Sequence, residues 1–257
     1  IFAQKEEFVT GLMAMKKMAM AKEAVIAIKK THQDLISFVE EAVKGLDGVS
    51  IAAVPDVYPM GWERVLVREI MHKEYDRLPG EVGAVVNNAT TAIAFGDALL
   101  HGRAIVKKTV TVSRTAVKEP KNVIVPVGMP ASEIIAACGG YTEDSVKLIA
   151  GGPMMGKTIV NDAFVIDRNM NALTVLANKP YDSISCLRCG KCSDHCPAGL
   201  QPVRIAQAVK AADKKTMEKL CAVDCIECGL CTYVCPSRLD VTENVRKAKR
   251  QLQLAKK

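Results

Sequence analysis

The sequence predicts a mixed fold class, with an α/β region, an α+β region and a cysteine-rich helical domain in that order. Over residues 1–104, short apolar runs alternate with amphipathic helical segments, which is typical of a parallel sheet with crossover helices. Over residues 105–162, alternating β-branched runs indicate a compact α+β module of β-grasp type. Beyond residue 185, eight of the ten cysteines form two runs of identical spacing.

The first region is predicted to hold three parallel strands and four helices. Its clearest strand is the continuous apolar run from Ala24 to Ile28, which is typical of a buried parallel strand. Thr31 is a candidate cap for the helix that follows. The predicted strands cover residues 24–28, 49–54 and 82–86, and the predicted helices cover residues 4–22, 31–44, 63–71 and 91–100.

The second region carries no nucleophile pair, acid–base dyad or metal-binding spacing, so we interpret it as a spacer and docking module. Its predicted elements are strands at residues 108–112, 122–127, 146–150 and 158–160 and a helix at residues 131–138. Residues 163–184 are predicted to be a connector. The last domain, residues 185–257, is predicted to contain helices at residues 202–220 and 241–254.

Each cysteine run has the form C-x-x-C-x-x-C-x-x-x-C-P, the spacing of proteins that hold two [4Fe–4S] clusters. Three closely spaced thiolates can bind one side of a cluster. In two-cluster ferredoxins the fourth ligand comes from the other run. We therefore assign a first ligand group and a second ligand group. The first group is Cys186, Cys189, Cys192 and Cys235, and the second group is Cys225, Cys228, Cys231 and Cys196.

Other uses of these cysteines fit the spacing less well. A disulfide framework would suit a small secreted domain, and no secretory signal is visible. Zinc sites usually present two separated C-x-x-C pairs rather than three cysteines and a fourth before proline. Cys138 and Cys221 lie outside the two runs and are predicted to be small buried side chains.

Composition limits the classes of partner. The formal charge of +7 falls to roughly +3 when eight thiolates and two cluster cores are counted, which argues against nucleic acid. Aromatic residues make up only 4% of the chain, a poor supply for base stacking. No stretch approaches the roughly 18 apolar residues of a membrane span, so no transmembrane segment is predicted. Clusters without a secretory signal indicate a reducing compartment.

Two polar loops are predicted at the carboxyl ends of the parallel strands, where open sheets bind ligands. One loop covers Val57–Glu63, and the other covers Asn87–Thr91 at the start of a helix. Asn and Thr at a helix N-terminus can cap the helix and donate to a phosphate. Plain capping is the alternative interpretation.

The domain order resembles the RnfC family of membrane-associated electron-transfer subunits. The matching segments are Tyr58–Glu63, Val85–Thr91, Val117–Val123, Gly151–Gly156 and both cysteine runs. Related families are the flavin subunit of respiratory complex I, the cobalamin reductases and PrdC of proline reductase systems. The resemblance implies a partial Rossmann-like flavin domain, a β-grasp module of SLBB type and an α-helical dicluster ferredoxin domain. By position it also implies an FMN site at Tyr58, Gly61, Glu63, Asn87, Asn88 and Thr91.

The sequence departs from the family pattern at two points. No G-x-G-x-x-G run for flavin and NADH occurs, so we expect the N-terminal part of the flavin domain to be lacking and NADH to bind only where that part is present. In addition, Tyr75–Gly80 leads directly into Val82, where RnfC itself tends to carry a longer glycine-rich segment. The second departure makes the soluble proline-reductase type slightly more similar than the ion-pumping type.

We predict an electron-transfer protein that passes electrons from NADH and FMN through two [4Fe–4S] clusters to a partner redox protein. The partner would belong to a proline reductase system or to the Rnf membrane complex, with a cytoplasmic location, peripheral at the membrane. The alternatives are a corrin reductase and a docking subunit with structural clusters. Arg188 and Lys191 lie in the first run, whereas Asp224 and Glu227 flank or enter the second. This charge difference predicts a higher reduction potential for the cluster bearing Cys186.

Overall fold

The structure is a computed structural model that describes residues 1–179 and 181–255. The predicted connector includes Pro180 and the predicted last domain includes Lys256 and Lys257, and these three residues lie outside the described part. The chain divides into two compact units, Ile1–Ile105 and Val106–Lys257. The predicted fold class, mixed helices and sheets with a parallel pair and a helical cysteine domain, is confirmed.

The first unit contains a parallel pair of strands and four helices. β1 and β2 run in register from Ala24 opposite Val49 to Lys29 opposite Val54. Buried side chains from β1, α2 and α4 meet Phe8 of α1 to form its core. The elements are α1 (Lys5–Met18), β1 (Ala24–Lys29), α2 (Gln33–Val43), β2 (Val49–Val54), α3 (Glu63–Met71) and α4 (Ala89–His101).

Helices α1 and α4 approach each other backbone to backbone at two glycines. A Cβ atom on Gly11 would collide with the carbonyl group of Ala92, and one on Gly96 would collide with the carbonyl group of Glu7. Only glycine leaves room for this approach. The two helices are therefore held at a separation that larger side chains would not allow.

The predicted third strand, residues 82–86, is wrong. Pro79–Val82 forms a 3₁₀ turn, and Gly83 follows in a left-handed conformation with φ of 76°. Val85 is 70% exposed, so the apolar run that suggested a strand is not buried in a sheet. The Glu81 carboxylate instead accepts hydrogen bonds from the backbone N–H groups of Asp76, Arg77 and Leu78 and fixes the turn.

The predicted cap of α2 is also wrong. The residue at the cap position is His32, and no side-chain hydrogen bond caps the helix. The Thr31 hydroxyl donates instead to the carboxylate of Asp56, at 3.1 Å, on the loop after β2. The carboxylate of Asp56 also pairs with Lys29 at 2.6 Å, so the ends of β1 and β2 are joined by side chains.

The second unit begins with a five-stranded sheet in the order β4-β3-β7-β5-β6. β7 lies at the centre, parallel to β3 and antiparallel to β5. The strands and the helix that covers them are β3 (Lys107–Ser113), β4 (Lys121–Pro126), α5 (Ala131–Ala137), β5 (Val146–Ala150), β6 (Lys157–Ile159) and β7 (Ala172–Ala177).

β7 lies inside the segment predicted as a connector, and that prediction is wrong for residues 172–177. Leu173, Thr174 and Val175 are fully buried, because β7 has a hydrogen-bonded neighbour on each side. The Thr174 hydroxyl donates to the carbonyl oxygen of Gly151 at 2.8 Å, which satisfies the buried polar group.

The cysteine-rich domain consists of short helices around the two runs. The predicted helix at residues 202–220 is broken at Ala212, which has φ of 51°. The carboxylate of Asp213 then caps the next helix by accepting from the Thr216 N–H at 3.0 Å. The helices are α6 (Lys191–Asp194), α7 (Pro202–Lys210), α8 (Lys214–Lys219), α9 (Leu230–Tyr233) and α10 (Val241–Leu254).

Among the described residues, no helix combines the length and the apolar character that a membrane crossing would require.

Candidate functional site

The two cysteine runs fold into the same local shape. The third residue of each run, Arg188 or Glu227, adopts a left-handed conformation with φ of 55° or 57°. This conformation turns its N–H group back onto the first cysteine, at 3.4 Å from the Cys186 sulfur and 3.3 Å from the Cys225 sulfur. Backbone N–H groups directed at cysteine sulfur are the donors that stabilise iron–sulfur clusters.

The second ligand group surrounds one cavity. Its lining includes the three cysteines of the second run, Cys225, Cys228 and Cys231, together with Cys196 of the first run. Apolar residues of α7 and α10 close the walls, and the Leu200 N–H is directed at the Cys196 sulfur at 3.4 Å. Four thiols on one mainly apolar cavity, with N–H donors toward sulfur, fit a [4Fe–4S] cluster.

Two hydrogen bonds join the chain next to the start of the first run to the chain next to the end of the second run. The Ser237 hydroxyl donates to the carbonyl oxygen of Ser185 at 3.0 Å, and the Ile184 N–H donates to the carbonyl oxygen of Ser237 at 3.2 Å. Ser185 directly precedes Cys186, and Ser237 follows Cys235 by two residues. The chain around Cys235 therefore lies beside the start of the first run.

The two groups differ in exposure. Cys228 and Cys231 are buried, and burial raises the pKa of the Cys225 thiol to about 11. Burial also raises the pKa of Cys228 and of Cys231. Cysteine binds iron as a thiolate, so a cluster held by these cysteines would have to displace their protons. Cys189 of the first group is exposed to solvent.

The Glu227 side chain is paired with two cations from α10. Arg246 Nε lies 3.1 Å and Lys249 Nζ 3.3 Å from its carboxylate oxygens. Lys249 Nζ also donates to the carbonyl oxygen of Cys225 at 2.7 Å. The charge of Glu227, one of the two acidic residues on which the predicted order of potentials relied, is thus offset, and that order stays a prediction.

A loop of the sheet module, Gly151–Gly156, lies against the second run. The Arg246 guanidinium donates to the carbonyl oxygen of Met155 at 3.4 Å. A Cβ atom on Gly229 would collide with the carbonyl oxygen of Met154. The module therefore packs closely on the loop between Cys228 and Cys231.

The two remaining cysteines differ from each other. Cys138 is fully buried in the core of the sheet module, as predicted for a small apolar side chain. Cys221 is exposed, which contradicts the prediction, because it occupies a left-handed turn with φ of 52° between α8 and the second run.

The residues implied in FMN binding lie around the N-termini of two helices in the first unit. Tyr58 and Gly61 are exposed on the loop after β2, and Glu63 is the first residue of α3. Asn87 is exposed, while Asn88 caps α4 by accepting from the Thr90 N–H at 2.9 Å. The remaining residue, Thr91, is exposed in the first turn of α4.

Tyr75 is a residue of this region that sequence analysis missed. The Arg64 guanidinium lies 4.9 Å above its ring, and the Glu63 carboxylate lies near its hydroxyl. Burial and the Glu63 charge raise the pKa of Tyr75. Among the described residues, none offers this buried hydroxyl a partner in hydrogen-bond geometry. No local sequence pattern marks Tyr75 as part of this region.

Three family models match successive parts of the chain. The FMN-binding domain of the Nuo51 type matches residues 1–97, the SLBB domain matches residues 109–158, and the 4Fe-4S dicluster domain matches residues 185–240. These matches agree with the order of the flavin, sheet and cysteine regions. They define the chain as a flavin and iron–sulfur protein of the electron-transport class.

Several curated proteins are similar over most of the chain. The C subunit of the ion-translocating oxidoreductase complex of Rhodobacter capsulatus is 35% identical over 84% of this chain and 43% of its own length. The C subunit of the proton-translocating ferredoxin:NAD(+) oxidoreductase complex of Clostridium ljungdahlii is 34% identical over 77% of this chain and 44% of its own length. The chain thus spans less than half the length of these relatives.

Solved structures share the fold at lower identity. The NAD+-reducing [NiFe]-hydrogenase in the H2-reduced state has a chain with a TM-score of 0.60 at 14% identity. The alignment covers 97% of this chain and 50% of the hydrogenase chain. This similarity shows the fold. The domain matches and the curated relatives show that the sequence belongs to the RnfC-like family.

Proposed function

We propose that this chain is an electron-transfer module that moves electrons between FMN and a partner redox protein through two [4Fe–4S] clusters. The observation that carries the proposal is the cavity lined by Cys196, Cys225, Cys228 and Cys231. Ligands from both runs on one cavity are what cross-ligated clusters require. When bound, the clusters supply one-electron redox chemistry and the flavin links it to two-electron chemistry.

The protein's own part is to hold the thiolates, to exclude water and to direct donors at sulfur. In this proposal the second ligand group does so in a buried cavity, under the Gly151–Gly156 loop. The first ligand group is more open, with Cys189 exposed and the apolar side chains of Ile184 and Leu187 more than half exposed beside it. We therefore assign exchange with the partner protein to the cluster of the first ligand group.

For the flavin, we propose that Asn87 and Asn88 offer amide donors to the FMN phosphate at the N-terminus of α4, whose dipole favours an anion. Tyr58, Gly61 and Glu63 would flank the same ligand, and Thr91 would add a hydroxyl. NADH binding is proposed only where the N-terminal part of the flavin domain is present.

The partner would be a further subunit of an ion-translocating complex, as the names of the relatives suggest, or the proline reductase system expected from the sequence. Either partner would meet the chain in a reducing, cytoplasmic compartment. A membrane-bound partner would meet it at the cytoplasmic face of the membrane. Pull-down from an anaerobic extract, followed by reduction of the isolated chain with each candidate partner, would distinguish them.

The first test is anaerobic reconstitution with iron, sulfide and flavin quantified and EPR spectra recorded after dithionite reduction. We expect about eight irons per chain and two interacting cluster signals. About four irons, or clusters that no reductant changes, would contradict the two-cluster carrier and favour a structural role.

FMN binding is tested separately by quenching of flavin fluorescence. Asn88→Ser keeps an oxygen that caps α4 and removes the amide donor, so we expect weaker FMN binding without loss of the helix. Asn87→Ala should weaken binding as well. Equal flavin affinity in the wild type and both variants would exclude this loop as the phosphate site.

A further inference from the structure

A buried hydroxyl lies directly on one of the proposed cluster ligands. Thr242 Oγ1 is 3.1 Å from the Cys231 sulfur, and both residues are more than nine-tenths buried. Thr242 is the second residue of α10, and Cys231 lies in α9. The contact therefore joins two helices and is not a by-product of the local turn.

The hydrogen-bond network around Thr242 determines where its proton points. The Thr242 N–H donates to Thr232 Oγ1 at 2.8 Å, and the Thr232 hydroxyl donates to Thr242 Oγ1 at 2.9 Å. Thr232 has therefore used its only hydroxyl proton on Thr242. A hydroxyl carries one proton, and the Thr242 proton remains available for the Cys231 sulfur. As a cluster ligand, Cys231 is a thiolate that can only accept.

The helix that follows the first run lacks the hydroxyl that Thr242 supplies after the second run. The two runs are offset by a constant interval from Cys186 and Cys225 onward, so Cys192 corresponds to Cys231 and Ser193 to Thr232. By the same offset, Val203 occupies the place of Thr242, and both are the second residue of their helices. The chain thus carries a donor at one site and an apolar side chain at the equivalent site.

We propose that Thr242 donates a hydrogen bond to the Cys231 sulfur and thereby raises the reduction potential of the cluster held by the second ligand group. Hydrogen bonds to sulfur set cluster potentials because they stabilise the more negative, reduced form. The proposal rests on the proposed function, since it requires a redox-active cluster at this cavity. Thr242 acts through the Cys231 sulfur and leaves the reduction potential of the cluster held by the first ligand group unchanged.

The test compares Thr242→Val with Thr242→Ser in the full reconstituted chain. Val matches the shape of Thr without the hydroxyl, and Ser keeps the hydroxyl. Midpoint potentials are measured by EPR-monitored redox titration, after iron content has been confirmed for each protein. We expect Thr242→Val to lower the midpoint potential of the cluster held by the second ligand group and of no other cluster. In Thr242→Ser both midpoint potentials should equal those of the wild type.

The reciprocal variant Val203→Thr should raise the midpoint potential of the other cluster, because Ser193 can take the place of Thr232 beside it. Fully loaded Thr242→Val with both wild-type potentials would overturn the proposal. If Thr242→Val does not retain its iron, the test rests on Val203→Thr. Fully loaded Val203→Thr with the wild-type potential at the cluster of the first ligand group would then overturn the proposal. The iron content of the wild type is measured before that of any variant. A wild type that does not hold about eight irons contradicts the proposed function itself.

Discussion

Arg246 Nε lies 3.1 Å from the carboxylate of Glu227, and this pair joins α10 to the loop between Cys225 and Cys228. The same guanidinium reaches the carbonyl oxygen of Met155 in the sheet module. One side chain therefore contacts both the second cysteine run and the loop that lies on it.

Arg246→Met is expected to lower the free energy of unfolding by about 1 kcal/mol, because a partly exposed ion pair and its hydrogen bond are worth no more than this. We also expect faster loss of iron to a chelator, since the Gly151–Gly156 loop loses a contact. Lys247→Met, on the exposed side of the same helix, is the matched control. Identical chelation rates for the two variants would contradict the role given to Arg246.

Cross-ligation predicts which cysteine variants share a phenotype. Cys196→Ala should remove the same EPR signal as Cys228→Ala, although the two residues lie in different runs. Cys235→Ala should instead match Cys189→Ala. If Cys196→Ala matched Cys189→Ala, each run would hold its own cluster, and the assignment of the two ligand groups would be wrong.

Gly96→Ala is expected to destabilise the first unit by about 1–3 kcal/mol or more, because its Cβ atom would meet the carbonyl group of Glu7 on α1. Gly80→Ala is the control, since a Cβ atom there has no neighbour within 4 Å. Guanidinium titration followed by circular dichroism measures both variants. A Gly96→Ala protein as stable as Gly80→Ala would mean that the two helices can move apart.

Glu81→Gln tests the turn that replaces the predicted strand. Three backbone N–H groups hold the pKa of Glu81 below its usual value of 4.5. The carboxylate therefore stabilises the folded state above pH 4.5, and this contribution is lost as the pH falls through the lower folded-state pKa. The wild type should be the more stable protein at pH 7. The difference between the unfolding midpoints of the two proteins should be smaller at pH 3 than at pH 7, and an equal difference at both pH values would argue against the carboxylate.

The two cysteine runs could be recognised from the sequence because cluster spacing is a local property, and their division into two ligand groups stays a prediction. The elements β1, β2, α3 and α10 could also be recognised, because their apolar patterns match their burial. Val82–Val86 misled the prediction because an apolar run does not reveal that Pro79 and Gly83 impose a turn. β7 was missed because its burial depends on two neighbours that are distant in the sequence.

The charged groups that surround the cysteine runs could not be predicted from the sequence either. Glu227 stands alone as an acidic residue in the second run, yet Arg246 and Lys249 come from a helix that begins after the run has ended. The contact of Thr242 with Cys231 likewise depends on how α10 packs on α9. Sequence spacing identifies the candidate ligands, whereas the tertiary fold decides which polar groups surround them.

The central position of β7 has a consequence for dividing the gene. A fragment that stops where the SLBB match ends, at residue 158, would leave β3 and β5 without the strand that separates them. Two unpaired edges in the middle of a sheet invite strand exchange and aggregation. A soluble sheet fragment would have to extend at least through Ala177, nine positions before Cys186. A boundary between the sheet module and the cysteine domain therefore has to fall within this short segment.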